Sequence, residues 1–209
     1  VLLSWSGTLF EYLMPELFLR TPEASLLDFA DRAAVEQQIA FARREGTPWG
    51  VSESAYYHTD LEGTYQYRAF GVPGLALRRD TGRRRVVAPY ASLLALRIRP
   101  RAVLENLDRI AALDGLGVYG FYEALDFPRD TKTRPNVVRS WMAHHQAMVL
   151  LSLTNCLADR AIVERFHADP RIRAAELLLH ERTPGRVAAR PPTVRVAAAH
   201  RGAPAPPPV

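Results

Sequence analysis

Residues 25–46 read SLLDFADRAAVEQQIAFARREG, and this stretch decides the fold class. Ser25 with Asp28 three residues on resembles a capping box, Leu27, Ala30, Ala34, Ile39 and Phe41 supply a helical apolar pattern, and Gly46 stops it. The prediction is a long helix over 25–44. On its N-terminal side, residues 8–20 (TLFEYLMPELFLR) read as a second helix, kinked or restarted at Pro15, because proline removes a donor and clashes one turn back. Glu11 is the odd member of that apolar segment. It either reaches the rim of a site or pairs with an arginine such as Arg20 or Arg68.

On the C-terminal side more helices are expected. Residues 89–96 form one and residues 100–113 another, with Pro100 in the first turn and Val103, Leu104, Leu107, Ile110 and Ala111 as the buried stripe. Residues 136–157 give the longest helix, and 162–179 one more, interrupted at Pro170. Residues 65–70 read as a helical turn. The only strands suggested are 75–77 and 86–88, a short hairpin across the arginine-rich turn Arg78-Arg79-Asp80-Thr81-Gly82-Arg83-Arg84-Arg85. The class is therefore all-α, with about seven helices.

At 209 residues, 48% hydrophobic and 23% charged, the chain is ordinary for a globular protein with one substantial core. That core is assigned to residues 1–182. Residues 183–209, rich in proline, alanine and arginine, cannot bury enough apolar surface to order and read as a disordered tail. The net charge of +5 is carried almost wholly by arginine, Lys132 being the single lysine, and it is spread along the chain. That pattern fits a solvated basic surface and argues against a nucleic-acid partner. The single cysteine, Cys156, excludes an internal disulfide, and its leucine neighbours predict a buried helical thiol. No apolar run approaches the roughly eighteen residues of a membrane span. The opening Val1-Leu2-Leu3-Ser4-Trp5-Ser6-Gly7 has neither a methionine nor a charged leader, so the chain reads as cut from something longer.

Two stretches carry the chemistry. The first is Pro48-Trp49-Gly50-Val51-Ser52-Glu53-Ser54-Ala55-Tyr56-Tyr57-His58-Thr59-Asp60, and the second Gly117-Val118-Tyr119-Gly120-Phe121-Tyr122-Glu123-Ala124-Leu125-Asp126-Phe127. Both read as loops in which aromatics flank carboxylates. Rings stack on the apolar faces of a pyranose and carboxylates act at its anomeric carbon, so this pattern suits a sugar site. Glu53 and Glu123 are the expected catalytic pair, one as proton donor and one as nucleophile or base. The competing reading makes either one a structural cap at a helix N-terminus. Glu11, Asp60 and Asp126 are expected to bind sugar hydroxyls or orient the pair. Trp49, Tyr56, Tyr122 and Trp141 are candidate sugar platforms, with Tyr65, Gln66, His144 and His145 as further substrate contacts.

No metal is expected, since adjacent residues on a helix point about 100° apart and His144 and His145 cannot share one ion from consecutive positions. Gly71-Val72-Pro73-Gly74 lacks the pattern and the lysine of a phosphate loop, Ser52 lacks a nucleophile elbow, and no cofactor is implied.

With these residues in view, the chain resembles the glucoamylase-like domain of bacterial cyclic β-1,2-glucan synthases. The likeness rests on Ser4-Trp5-Ser6-Gly7-Thr8, Phe10-Glu11-Tyr12-Leu13-Met14-Pro15, Pro48-Trp49-Gly50-Val51-Ser52-Glu53-Ser54, Tyr65-Gln66-Tyr67-Arg68-Ala69-Phe70-Gly71-Val72-Pro73-Gly74, Val87-Ala88-Pro89-Tyr90, Tyr119-Gly120-Phe121-Tyr122-Glu123-Ala124-Leu125-Asp126, Arg139-Ser140-Trp141-Met142-Ala143-His144-His145-Gln146 and Arg165-Phe166-His167-Ala168-Asp169-Pro170. It covers residues 4–182. The resemblance implies an (α/α)6 toroid, here incomplete because about seven of twelve helices are counted. It also implies cleavage and rejoining of β-1,2-glucan, closing a linear chain into a ring. In full-length relatives the partners are a glycosyltransferase region and a phosphorylase-like region, on the cytoplasmic side of the bacterial inner membrane. Glu53 and Glu123 fall in the family's acid-bearing blocks, without fixing which is acid/base and which nucleophile. Ala147 replaces a usual glycine, and the 79–85 turn is more basic than usual. Two alternatives stay open: a non-catalytic glucan-binding fragment, and a β-1,2-glucan hydrolase.

Overall fold

The computed structural model describes residues 2–82, 84–128 and 134–182. Seven α-helices and seven strands are found among them. The helices are α1 (Leu9–Leu13), α2 (Leu26–Glu45), α3 (Pro89–Leu94), α4 (Pro100–Ala111), α5 (Ala143–Leu157), α6 (Ala161–His167) and α7 (Pro170–Ala175). The strands are β1 (Glu53–Thr59), β2 (Tyr65–Ala69), β3 (Arg85–Val87), β4 (Leu116–Gly117), β5 (Gly120–Phe121), β6 (Ala124–Phe127) and β7 (Asn136–Val138).

The helix that decides the fold forms for the reasons its sequence gives. Ser25 accepts a hydrogen bond from the Asp28 amide at the N-terminus of α2, and Gly46 closes it in the left-handed region at φ 67°. The box is half formed, since Asp28 accepts from Ala24 rather than returning a bond to Ser25. α1 stops at Leu13 and a 3-10 turn over Pro15–Leu17 follows, which is the restart at Pro15 that the sequence predicts. α6, α7 and a 3-10 turn over Glu176–His180 likewise reproduce the interruption at Pro170.

α3 is the axis of the core. All six of its residues are buried, so it is covered on every side, and its two polar side chains, Tyr90 and Ser92, are hydrogen-bonded inside the core. It packs against α1, α4 and α5. Ahead of it, Val86, Val87 and Ala88 are fully enclosed. The extended segment from Trp49 to Ser52 crosses this interior beside it, and its backbone groups find partners in side chains. Gln38 of α2 accepts from the Val51 amide at 2.9 Å and donates to the Val51 carbonyl at 2.7 Å. Asn106 of α4 does the same for Trp49, at 2.9 and 2.8 Å.

Several expectations are corrected. The class is mainly helical but not all-α, because three small antiparallel sheets lie among the described residues: β1-β2, β3-β6-β7 and β4-β5. Residues 53–69 form a hairpin in place of a loop and a helical turn, since both arms are rich in Tyr and Thr, which favour strand pairing. The expected 75–77 with 86–88 hairpin does not form. Leu75 ends a 3-10 turn, Ala76 bridges to Ser4, and β3 pairs with β6 instead. Residues 136–138 are strand β7 rather than the start of a helix, so α5 has 15 residues and the 20-residue α2 exceeds it. In α4, Leu104 is 59% exposed and polar Asn106 takes a buried place, because the Trp49 backbone needs its amide. Cys156 is exposed, on the outer side of α5. The proposed tail, Lys132 and Arg83 lie outside the described residues.

Two predictions follow from the core. Gly50 has φ +122°, and a Cβ there would lie 2.6 Å from Ser92 Oγ and 2.9 Å from the Ala88 carbonyl. Gly50→Ala should lower stability by about 2 kcal/mol or more, read from urea unfolding. Asp31 of α2 is buried beside Glu16, and burial first, then the Glu16 charge, push its pKa up to about 8. An unfolded aspartate titrates near about 3.9. The folded state therefore holds the extra proton between those values, and stability should fall as pH rises from about 4 to 8. Asp31→Asn should flatten that slope in pH-dependent thermal unfolding.

Candidate functional site

The β1–β2 hairpin carries the first expected stretch. Its turn is made by Asp60, whose carboxylate accepts from the Glu62 and Thr64 amides at 3.0 and 2.9 Å. In the register Glu53 faces Ala69 and Ala55 faces Tyr67. Residues two apart share a face, so Glu53, Ala55 and Tyr67 lie on one side of the ribbon. The second stretch is drawn in beneath it. The Ala55 amide donates to Glu123 Oε1 at 3.2 Å, and α5 sets His145 against the same carboxylate.

The centre is a buried acid-imidazole pair. Glu123 is 2% exposed and His145 is fully enclosed. His145 Nδ1 lies 2.9 and 3.0 Å from the two Glu123 oxygens. An ionised carboxylate only accepts, so the proton of that contact sits on Nδ1 and Nε2 faces the other way. There it meets the Tyr67 hydroxyl at 3.4 Å, and the same hydroxyl lies 3.5 Å from Glu53 Oε2. The imidazole is stacked on Tyr90 of α3, with ring centres 3.7 Å apart and planes 11° from parallel. Tyr90 donates to the Glu53 carbonyl at 2.9 Å and contacts Ser52 Oγ at 3.1 Å, while Ser52 Oγ accepts from the Phe10 amide at 3.0 Å. α1, α3, α5 and the hairpin are thus joined through one polar cluster.

Glu53 is half-buried at the edge of this cluster. Burial first, and the neighbouring Glu11 carboxylate second, raise its pKa, against smaller lowering by His145 and the Tyr67 hydroxyl. Burial likewise raises the Tyr67 and Tyr90 phenols. His144 is exposed next to His145, with its pKa lowered by partial burial and by the His145 charge.

The sequence-predicted residues divide. Glu53, Glu123, His144 and His145 come together. Glu11 pairs with neither Arg20 nor Arg68; it closes a capping box on Thr8 and accepts from Ser4 Oγ and the Ser6 amide, and from there its charge reaches Glu53. Trp49 is 4% exposed and packed in the core, which removes it as a sugar platform. Asp60, with Gln66 at 3.5 Å, is occupied in shaping the exposed turn. Asp126 is buried and bound to the Arg84 guanidinium and the Tyr57 amide, so it locks the hairpin onto the β3-β6 edge. Tyr56 lies under Arg84, 4.4 Å from ring centre to guanidinium, and against Phe70. Tyr65 packs beside Tyr57. Tyr122 and Trp141 form a partly exposed aromatic pair 4.8 Å apart, with Tyr119 against the indole edge. The Trp141 indole nitrogen and the Ser54 and Ser140 hydroxyls are buried without a partner. Among the described residues no group of three or more His, Cys, Asp or Glu side chains is placed to hold a metal ion.

Sequence reasoning missed Tyr67 and Tyr90. Strict alternation in Tyr65-Gln66-Tyr67 marks the first, since a strand puts both tyrosines on one face. Tyr90 sits in an apolar helix, and nothing local distinguishes it from core.

Comparison with known proteins is consistent over most of the chain. The Glycoamylase family model, described as "Putative glucoamylase", matches residues 1–170. A cyclic beta-(1,2)-glucan synthase of Rhizobium meliloti is 45% identical over 188 residues, 88% of this chain but 7% of that protein's length. A putative glucoamylase from Bacteroides caccae superposes with TM-score 0.59 at 21% identity, over 85% of this chain and 42% of its own. An endo-beta-1,2-glucanase from Chitinophaga pinensis, solved with sophorotriose and glucose, gives TM-score 0.57 at 19% identity, over 85% of this chain and 41% of its own.

Removing the imidazole tests the centre. His145→Ala leaves the buried Glu123 carboxylate without its ring partner, so stability should drop by about 3 kcal/mol. Urea titrations of the two proteins read that loss.

Proposed function

Because this chain belongs to the glucoamylase-like (Glycoamylase) family, we propose that it is a carbohydrate-active unit that cleaves and rejoins β-1,2-glucan, ring closure being the transfer reaction. Relatives named for cyclic β-1,2-glucan synthesis and for β-1,2-glucan cleavage support that substrate. The seven helices are then part of an (α/α)6 toroid. The chain spans 7% of the synthase and about two fifths of the two superposed proteins described above, so the glycosyltransferase and phosphorylase-like partners and the inner-membrane location belong to longer relatives in this reading. No helix among the described residues is long and apolar enough to cross a membrane.

One observation carries the chemistry: a half-buried carboxyl, Glu53, keeps its proton more tightly than an ordinary glutamate, on the open side of a closed acid-imidazole pair. A carboxylic acid with a raised pKa is what a departing glycosidic oxygen needs as proton donor. Glu53 gives its proton to that oxygen as the bond to the anomeric carbon breaks. It then accepts the proton of the incoming hydroxyl as that oxygen forms the new bond to the same anomeric carbon, which returns Glu53 to its protonated form. If that hydroxyl is water, the product is a shorter linear chain; if it is the far end of the same glucan, a ring closes. Glu123 is the second carboxylate. Shut beneath the surface by His145 and the Ala55 amide, it acts on Glu53's surroundings from below. Tyr122 and Trp141, a partly exposed aromatic pair, with the exposed His144, are the members of the expected sugar-contacting set that this reading places against the glucan.

A second reading, glucan binding without turnover, is favoured by the small share of the longer proteins that the chain spans. Mass spectrometry of linear β-1,2-glucan incubated with the chain separates the two. Cyclising transfer yields products one water lighter than linear chains of equal length, and hydrolysis yields short linear sugars. Glu53→Gln should slow either reaction about a hundredfold or more, and Glu123→Gln should also impair it. Unchanged substrate from folded protein, with binding of linear β-1,2-glucan that Glu53→Gln does not alter, would favour the binding reading.

A further inference from the structure

The Tyr67 hydroxyl stands between the Glu53 carboxylate and the free ring nitrogen of His145. It lies 3.5 Å from Glu53 Oε2 and 3.4 Å from His145 Nε2, and His145 continues at 2.9 Å to Glu123. From this continuity, and resting on the role of Glu53 proposed above, we propose that Tyr67 is a positioning residue that bridges proton exchange between Glu53 and the His145–Glu123 pair.

The bridge balances in both directions. With Glu53 protonated, its O–H donates to the Tyr67 oxygen, the phenol O–H donates to His145 Nε2, and Nδ1–H donates to Glu123. With Glu53 ionised, the imidazolium Nε2–H donates to the Tyr67 oxygen and the phenol O–H turns to Glu53. One proton has passed from Glu53 to His145, the phenol has exchanged one hydrogen for another, and the net charge is unchanged, a carboxylate and an imidazolium standing where two neutral groups stood. A hydroxyl can serve both arrangements because it donates once and accepts as well. The imidazole cannot turn away, since Tyr90 stacks on it and Glu123 fixes Nδ1.

The charged and titratable groups around this path are Glu11 from α1, Glu53 and Tyr67 from the hairpin, Tyr90 from α3, Glu123 ahead of β6, and His144 and His145 from α5. Glu11 works in the direction of the bridge. Its charge opposes an ionised Glu53, so a Glu53 that has given up its proton is driven to recover one.

The test reads Glu53 itself, without substrate. Carboxyl carbon NMR of glutamate-labelled protein, with Glu53 assigned by its loss in Glu53→Gln, follows its titration from pH 4 to 9. In the unaltered chain Glu53 should titrate in two steps, the second coinciding with the His145 ring resonances, as coupled sites do. In Tyr67→Phe the second step should vanish and the main midpoint should rise by about half a unit or more, because the ionised form loses a donor. Superposable titrations of the two proteins would overturn the proposal. Replacing Tyr67 by 3-fluorotyrosine, which keeps the shape and acidifies the hydroxyl, should shift the second step if the bridge exists and leave it unmoved if it does not. On linear β-1,2-glucan, Tyr67→Phe should lower kcat about tenfold with KM within twofold and move the pH-rate profile with the NMR midpoint. Turnover by the unaltered chain with an unchanged kcat and profile in Tyr67→Phe would overturn the bridge and leave the glucan reading standing. Coupled titration without any turnover would support the bridge and defeat the reading of the chain as a glucan-cleaving unit.

Discussion

Four residues, Trp49 to Ser52, cross the interior in extended form with no sheet of their own to satisfy them. Unpaired amides and carbonyls at that depth would each cost on the order of 1–3 kcal/mol. Gln38 and Asn106 remove the problem by presenting primary amides that imitate a neighbouring strand, one from each flanking helix. Ser92 adds a bond to the Trp49 carbonyl and is itself held by Asn106. The Leu9 and Ala88 amides complete the set by donating to the carbonyls of Val51 and Gly50. α1, α2, α3 and α4 are all registered against this one segment.

The candidate site hangs from the end of that segment. Glu53 begins where Ser52 leaves the core, and Ser52 and Tyr90 fix its backbone from α1 and α3. The same Tyr90 ring is the floor on which His145 lies. Packing and the candidate site therefore share residues: the core helix α3 holds the start of β1 and the imidazole with a single side chain. A carboxyl at this boundary feels the low polarity of the core on one side and solvent on the other, which is the condition for a raised but still titratable acid.

Asp126 shows why acids in an aromatic-rich stretch were not separable by type. In sequence it resembles Glu123, three residues on and likewise next to an aromatic residue, Phe127 where Glu123 has Tyr122. In the fold Asp126 pairs with Arg84 and Glu123 with His145, because successive positions on β6 and its approach face different neighbours. Asp60 and Glu11 were likewise legible as unusual acids, and each is spent on closing a turn or capping a helix.

By itself the sequence determined the elements whose signals are local. The cap at Ser25, the stop at Gly46, the restart at Pro15 and the break at Pro170 act through backbone geometry within one turn, so they hold wherever the chain is placed. It also marked Glu53 and Glu123 as acids set in stretches rich in aromatic residues. Only tertiary structure decided that residues 53–69 pair as a ribbon, that β3 takes β6 for its partner over the nearer 75–77 segment, and that Trp49 and Asn106 belong to the core while Leu104 does not. Those outcomes depend on which distant backbone group needs a partner and which face is covered, and neither quantity exists until the helices have met.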